Sequence, residues 1–502
     1  MPRGVAVAGI SRDSFVPRVG PRRLGPTYGR PEPPTPHAYA LSPEPRMSRP
    51  SCLLALCMLP LATPAAAAAD KPRLVVLTDI GGDPDDQQSM IRLMHHADEF
   101  DIEALVATAA GVPSEKKEDA LYPGLIREIV EAYGKVRPNL VRHRPDFPEA
   151  KLLLDRVKSG NAVRGVKSVG AGHDTEASRW LISVVDRDDQ RPVNVTIWGG
   201  STELAQALWR VRNDRAPEQL KAFIRKLRVY AISHQDDTGP WINETFPDLF
   251  YVLAKAAPGR DMREGAYRGM YLGGDESLTS REWVDRHLRH GRGPLGALFP
   301  TRTWTAPNPH ATLKEGDTPS WFYFLPVGLG NPAKPGWGSW GGRFRRERGG
   351  LYRDATDKVG TVTDARSTVW RWRPAFQAEF AARAQWCVKP PAEANHPPVA
   401  VLNGDRTAAA VEMPTRPGAL ELFSAAGSTD PDGDHLTYRW FVYPEAGSYG
   451  EAVKVAGEDA ELAGLMVPAD AAGKTIHVIL EVTDRGSPAL TRYRRVVLLV
   501  GG

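Results

Sequence analysis

Hydrophobic positions fall into two textures along this chain. In the first, short apolar runs alternate with helical spacings. Leu74-Val-Val-Leu77 is apolar throughout, as a buried parallel strand is. Gln87–Glu99 places apolar residues at 90, 91, 94 and 97, the spacing of one helix face. The alternation continues through strand Ile102–Ala107, helix Leu121–Tyr133, strand Val193–Trp198, helix Ser201–Arg212 and strand Leu227–Ile232. This order predicts an α/β domain: a mostly parallel sheet with flanking helices. Ligands of such sheets sit at the carboxyl ends of the strands, here the loops after Leu77, Ile197 and Ile232. From about residue 266 to 345 the pattern loosens into Gly, Pro and aromatic residues, the texture of functional loops. Helical spacing returns at Arg373–Trp386.

The second texture follows the proline-rich stretch 389–398, which reads as a stiff linker. Beyond it, strand-like segments at Ala419–Phe423, Leu436–Val442, Lys474–Thr483 and Tyr493–Leu499 predict an all-β, immunoglobulin-like sandwich over 399–502. The domain plan is therefore an α/β domain over 70–388, the linker, and the sandwich.

Charge changes the picture mainly at the N-terminus. The net charge of +4 comes from residues 1–69, which hold eight Arg, no Lys and three acids; 70–502 carries 56 basic and 57 acidic residues. Without clustered surplus charge, binding to a nucleic acid polymer is not expected. Met47-Ser-Arg-Pro, the apolar run Cys52–Leu61 and the small-residue stretch ending at Ala69 have the parts of a secretory signal peptide over 47–69. Residues 1–46 then read as a disordered or over-extended start. No apolar run in 70–502 reaches membrane-spanning length, so an exported protein, periplasmic or extracellular, is expected. Cys387 alone would remain after cleavage, which excludes an intramolecular disulfide.

The candidate chemistry lies in Thr78-Asp-Ile-Gly-Gly-Asp-Pro-Asp-Asp86, with four carboxylates between a buried strand and a helix start. Helix capping explains one or two acids at such a place. The others call for a cation, and oxygen ligands favour a hard ion, Ca²⁺ or Mg²⁺.

This loop resembles that of the nucleoside hydrolases, and more closely their exported cellulose-binding, nucleoside-hydrolase-like relatives. Gln235-Asp-Asp-Thr-Gly-Pro-Trp-Ile-Asn243, Lys314-Glu-Gly-Asp-Thr-Pro-Ser320 and Gly338-Ser-Trp-Gly-Gly-Arg-Phe344 look like further motifs of that family, and Trp198-Gly-Gly-Ser-Thr-Glu-Leu-Ala looks like the nucleosidase segment Gly-Pro-Leu-Thr-Asn. The resemblance covers about 74–345. It implies Ca²⁺ as cofactor, held by Asp79, Asp85, Asp86, the Trp198 carbonyl and Asp317, with Asp79 taking a proton from the attacking water and Asp85 also meeting sugar hydroxyls.

Three departures from the family pattern bear on turnover. Leu77 replaces the first Asp, the loop is two residues longer, and Gly316 stands where many nucleosidases carry a leaving-group His. His234, at a strand end beside Asp236 and Asp237, is the candidate acid in its place. Asn243 and Glu244 suit hydroxyl recognition, and Trp337 and Trp340 suit stacking on sugars or a base. Trp321–Phe324 fits core better than binding. Asp430-Pro-Asp-Gly-Asp434 resembles the start of an EF-hand loop, but Phe441 stands where the twelfth-position Glu belongs, so it reads first as an interstrand turn, with a weak calcium site as the alternative. Two functions follow: an exported calcium-dependent hydrolase of N-glycosidic bonds acting on a small glycoside, or a non-catalytic binder of polysaccharide such as cellulose.

Overall fold

The computed structural model describes residues 71–110, 120–303 and 312–502. The segments expected as an over-extended start and a signal peptide lie outside the described residues. Among the described residues, no helix is long and apolar enough to cross a membrane.

Eight strands form the main sheet: β1 Arg73–Thr78, β2 Asp101–Ala107, β3 Val157–Ser159, β4 Val193–Ile197, β5 Leu227–Ile232, β6 Phe250–Ala254, β7 Phe344–Arg348 and β8 Leu351–Asp354. Their order is β3-β2-β1-β4-β5-β6-β8-β7, parallel throughout except for the β7–β8 hairpin. The chain winds outward from β1 through β2 to β3, then returns to lay β4 on the other side of β1. The strand order thus reverses between β1 and β4, and the loops leaving their carboxyl ends border the crevice where such sheets bind ligands. Both faces are covered. One apolar cluster packs Val75, Leu77, Val195 and Ile197 against helices Glu176–Asp186 and Thr202–Asp214. The other joins Leu74 and Val76 to helices Asp85–His95, Pro123–His143 and Arg373–Trp386. The expected strands and helices are present, most with ends displaced by a few residues, but the helix expected to end at Tyr133 runs on to His143. The sequence pattern did not single out β3, β6, β7 and β8, which are short or flanked by irregular loops.

The C-terminal part has two sheets, of four and three strands, with Phe423, Trp440, Leu465, Val478 and Val496 buried between them. This agrees with an all-β second part. The stretch 389–398 does not hang free: Ala394, Asn395 and Pro398 are buried, the Trp386 indole donates to the Asn395 carbonyl (2.9 Å), and His396 stacks on Trp386. The sandwich shares the α/β core as well. Arg492 pairs with Glu379 at 2.5 Å, Arg495 donates to the Leu329 carbonyl at 2.7 Å, and Tyr493 lies edge-on to Trp340 and Trp372. The described residues belong to one compact unit.

Candidate functional site

The acid loop leaves β1 at Thr78 and enters helix Asp85–His95. Thr78 Oγ1 accepts from the Ile80 amide (3.1 Å) and bonds Asp86, fixing that carboxylate over the strand end. Asp85 and Asp86 occupy the helix's first turn, where unpaired N–H groups favour negative charge.

Asp317 arrives from far along the sequence, and a buried polar frame holds it in place. Gln88 grips the incoming segment, donating to the Thr312 carbonyl at 2.6 Å and accepting from the amides of Lys314 (2.9 Å) and Glu315 (3.2 Å). Arg92 and Glu315, both fully buried, pair at 2.6 Å. From the β4 side, the Trp198 indole donates to Ser320 Oγ (2.9 Å), whose hydroxyl donates to the Asp317 carbonyl (2.6 Å). Carboxylate oxygens of Asp85, Asp86 and Asp317 then lie within 4.8 Å of one another. Asp79 lies flat on Gly199 in the loop after β4, where an added Cβ would come 2.4 Å from its Cγ, so glycine is required there. The Trp198 carbonyl accepts from Gln235 Nε2 and retains its second lone pair.

Burial pushes the Asp86 and Asp317 carboxyls well above their usual range; Asp79 and Asp85 raise Asp86 further, as Asp86, Asp85 and Asp79 do Asp317. Asp85 is raised more modestly, since the Lys314 ammonium opposes the effect of burial. Lys314 Nζ lies 2.6 Å from Asp83 and 3.2 Å from Asp85, and Arg164 stands 3.6 Å from Asp79. The test of whether the site suits a metal is Asp317 Oδ2, which is buried without a hydrogen-bond partner. An acceptor-only oxygen beside other carboxylates is satisfied by a cation, and the all-oxygen donor set suits calcium.

The other sequence candidates divide. His234 is half-buried against Tyr251 and Gly239, with Asn243 Nδ2 3.3 Å from its Nε2. Burial, with Lys255 and Arg353, lowers its pKa to about 4, so near neutrality it is an uncharged ring. No described contact joins it to the acid cluster. Asn243 is committed to that histidine, and Glu244 is exposed on helix Thr238–Thr245. Of the two tryptophans, Trp340 needs correction and Trp337 is half-buried. Trp340 is fully buried among Phe322, Phe376 and Tyr493, with no face for a sugar. Trp337 lies edge-on to His477 and under Arg495, packed on the sandwich. Flanking glycines suggested exposure; here Gly341 and Gly338 instead allow close backbone approach to Tyr323 and to the Tyr443 hydroxyl. Trp321–Phe324 is core, as expected.

Several site residues carried little signal in the sequence. Arg164 lies in a stretch without periodicity. Lys314 sits inside a quoted motif, yet its partners belong to the first loop. Tyr267 stands beside Gly316, where an added Cβ would lie 3.4 Å from both the Tyr267 ring and Asp85 Oδ2. Tyr267 also lines a 290 Å³ cavity with Ser233, Lys255, Arg260 and Arg353. Glu203, buried at the start of helix Thr202–Asp214, accepts from the Asn161 amide (2.7 Å), and burial pushes its carboxyl up to about 7.

Comparison with known proteins identifies the family and the fold. Residues 73–344 match the family described as cellulose-binding Sde182, nucleoside hydrolase-like domain, and 422–500 match the C-terminal domain of cellulose-binding protein Sde0182. Among solved structures, a nucleoside hydrolase-related hypothetical protein from Saccharophagus degradans, associated with carbohydrate metabolism, is 34% identical with a TM-score of 0.74, the match covering 86% of this chain and all of that one. A protocadherin ectodomain matches 18% of this chain and 23% of its own length at 15% identity and TM-score 0.11, too little to bear on the sandwich. No curated protein matches the chain.

Proposed function

The chain belongs to the cellulose-binding Sde182, nucleoside hydrolase-like family, and from that premise we propose an exported calcium-dependent hydrolase of N-glycosidic, nucleoside-like bonds working in the β1–β4 crevice. The observation that carries this reading is the convergence of Asp85, Asp86 and Asp317 around the unpartnered Asp317 Oδ2. Asp79, Asp85, Asp86, Asp317 and the Trp198 carbonyl would hold the ion. Calcium, when bound there, supplies a Lewis acid that acidifies water and fixes sugar hydroxyls. Asp79 accepts the proton of the attacking water. Asp85 and Asp86 bind ring hydroxyls, and their charge stabilises the cationic character developing at the anomeric carbon. Tyr267, beside the glycine that replaces the family histidine, would donate a hydrogen bond to the leaving group.

A second reading, carbohydrate binding without turnover, is favoured by Gly316 and by His234, an uncharged ring near neutrality. Product analysis of residues 70–502 against nucleosides and soluble glycans, with and without calcium, separates the two. The hydrolase reading expects free base or sugar from wild type and none from Asp79→Asn, with ligand affinity largely kept. Glycan binding without release of product from any substrate would overturn it.

A further inference from the structure

The sandwich contains a second convergence of acids that the crevice chemistry does not use. We propose that Asp430, Asp432, Asp434 and Asp484, with the side-chain oxygen of Asn395, bind a second hard divalent cation, calcium by donor type, clamping the segment after residue 388 to the sandwich.

Asp430 Oδ1 accepts from the amides of Asp432 (2.8 Å) and Asp434 (3.1 Å), curling the loop until carboxylate oxygens of all three lie within 4.8 Å of one another. An acidic turn alone would be unremarkable on a protein surface. The independent observation comes from two other segments of the chain. Asp484, 2% exposed, accepts at Oδ1 from the amides of Gly486 (2.9 Å) and Leu490 (3.0 Å) and from Asn395 Nδ2 (3.0 Å), while its buried Oδ2 has no partner. Asn395, 7% exposed, also donates to the Pro488 carbonyl (2.8 Å), which fixes its amide orientation and leaves Oδ1 buried and unpartnered. Asp430 Oδ2 is buried and unpartnered too.

Asp430 Oδ2, Asp484 Oδ2 and Asn395 Oδ1, from three segments, are thus buried oxygens that can only accept and have no donor. The next residue, His396, closes the ring from the other side: its backbone amide (2.7 Å) and Nδ1 (2.9 Å) both reach Asp432. Gly486 lies directly under Asn395, where a Cβ would fall 2.2 Å from Asn395 Cγ, so the side chain is seated in a glycine recess. One water has two protons to give and cannot serve three acceptors, whereas a hard cation takes six to eight oxygens. Partly solvated sites of this kind in extracellular modules bind calcium at roughly 10⁻⁴–10⁻³ M.

The test uses terbium in place of calcium on residues 70–502 carrying Asp86→Asn and Asp317→Asn, which weaken the crevice site, with the luminescence read against this parent. Trp386 bonds the Asn395 carbonyl and stacks on His396, placing an indole antenna beside the site. Indole excitation should give terbium luminescence that calcium competes away and that Trp386→Phe dims. Asp430→Asn and Asp484→Asn should each weaken it tenfold or more, Asp430→Asn serving if Asp484→Asn fails to fold. Luminescence unchanged by both substitutions, or no competition by 10 mM calcium (about ten times the upper expected Kd), would overturn the site.

Discussion

Replacing Lys314 with Met tests whether the crevice is held by its internal charge balance. The Lys314 side chain is 8% exposed, and its partners Asp83 and Asp85 are 5% and 12% exposed. Methionine keeps the length and removes the charge, leaving two buried carboxylates beside Asp86 and Asp317 without their ammonium. Breaking a buried pair on one side costs about 3–5 kcal/mol, against about 0.2–1 kcal/mol for a solvated pair. Burial already raises the folded-state Asp85 carboxyl, and Lys314 is the largest opposing influence. In the variant that carboxyl rises further. A raised carboxyl gives stability that is present below its unfolded pKa, 3.8, and lost as pH rises through the folded value. The deficit should therefore be near its full size at pH 7 and shrink toward pH 4. Urea unfolding of residues 70–502, followed by tryptophan fluorescence with EDTA, measures it. If calcium binds the neighbouring acids, saturation at a hundred times Kd should return about 2.7 kcal/mol. A loss under about 1 kcal/mol, or one that does not vary with pH, would refute the account of a buried and mutually repelling cluster.

Asp317→Asn should lower calcium affinity at the crevice at least tenfold by calorimetry; full affinity would remove Asp317 from the site. Trp340→Ala should cost about 3–5 kcal/mol in unfolding by opening a core cavity, and an unchanged stability with lost glycan binding would restore its stacking role. Ending the chain at residue 395 should expose Trp372 and Trp340 and strand Glu379 without Arg492. The fragment should bind a hydrophobic dye and melt lower; cooperative melting at the full-length temperature would show that the two parts are separable. Glu203, ordinarily near 4.5 and pushed up to about 7 by burial, gives stability present below pH 4.5 and lost on the way to pH 7, roughly 3 kcal/mol. Melting curves at pH 5 and 8 should differ in wild type and converge in Glu203→Gln, and an equal shift in both would refute it.

Local chemistry made the frame of this protein legible in advance. A strand buried on both faces is apolar throughout, so β1, β2, β4 and β5 were readable, as were the longer helices with one apolar stripe. A dense run of carboxylates at a strand's end is costly wherever it lies, which marked Asp79, Asp85 and Asp86 before any coordinates. Other features depended on neighbours supplied by distant segments. Asp317 joins the cluster through Gln88, Arg92 and Trp198, none adjacent to it in sequence. Lys314 and Arg164 acquire their roles only when folding brings them to the acids. Trp340 and Trp337 show the converse: glycines on both sides leave exposure undecided, because glycine also allows close packing. Burial is a property of what lies across the interface, and there the sandwich decided it.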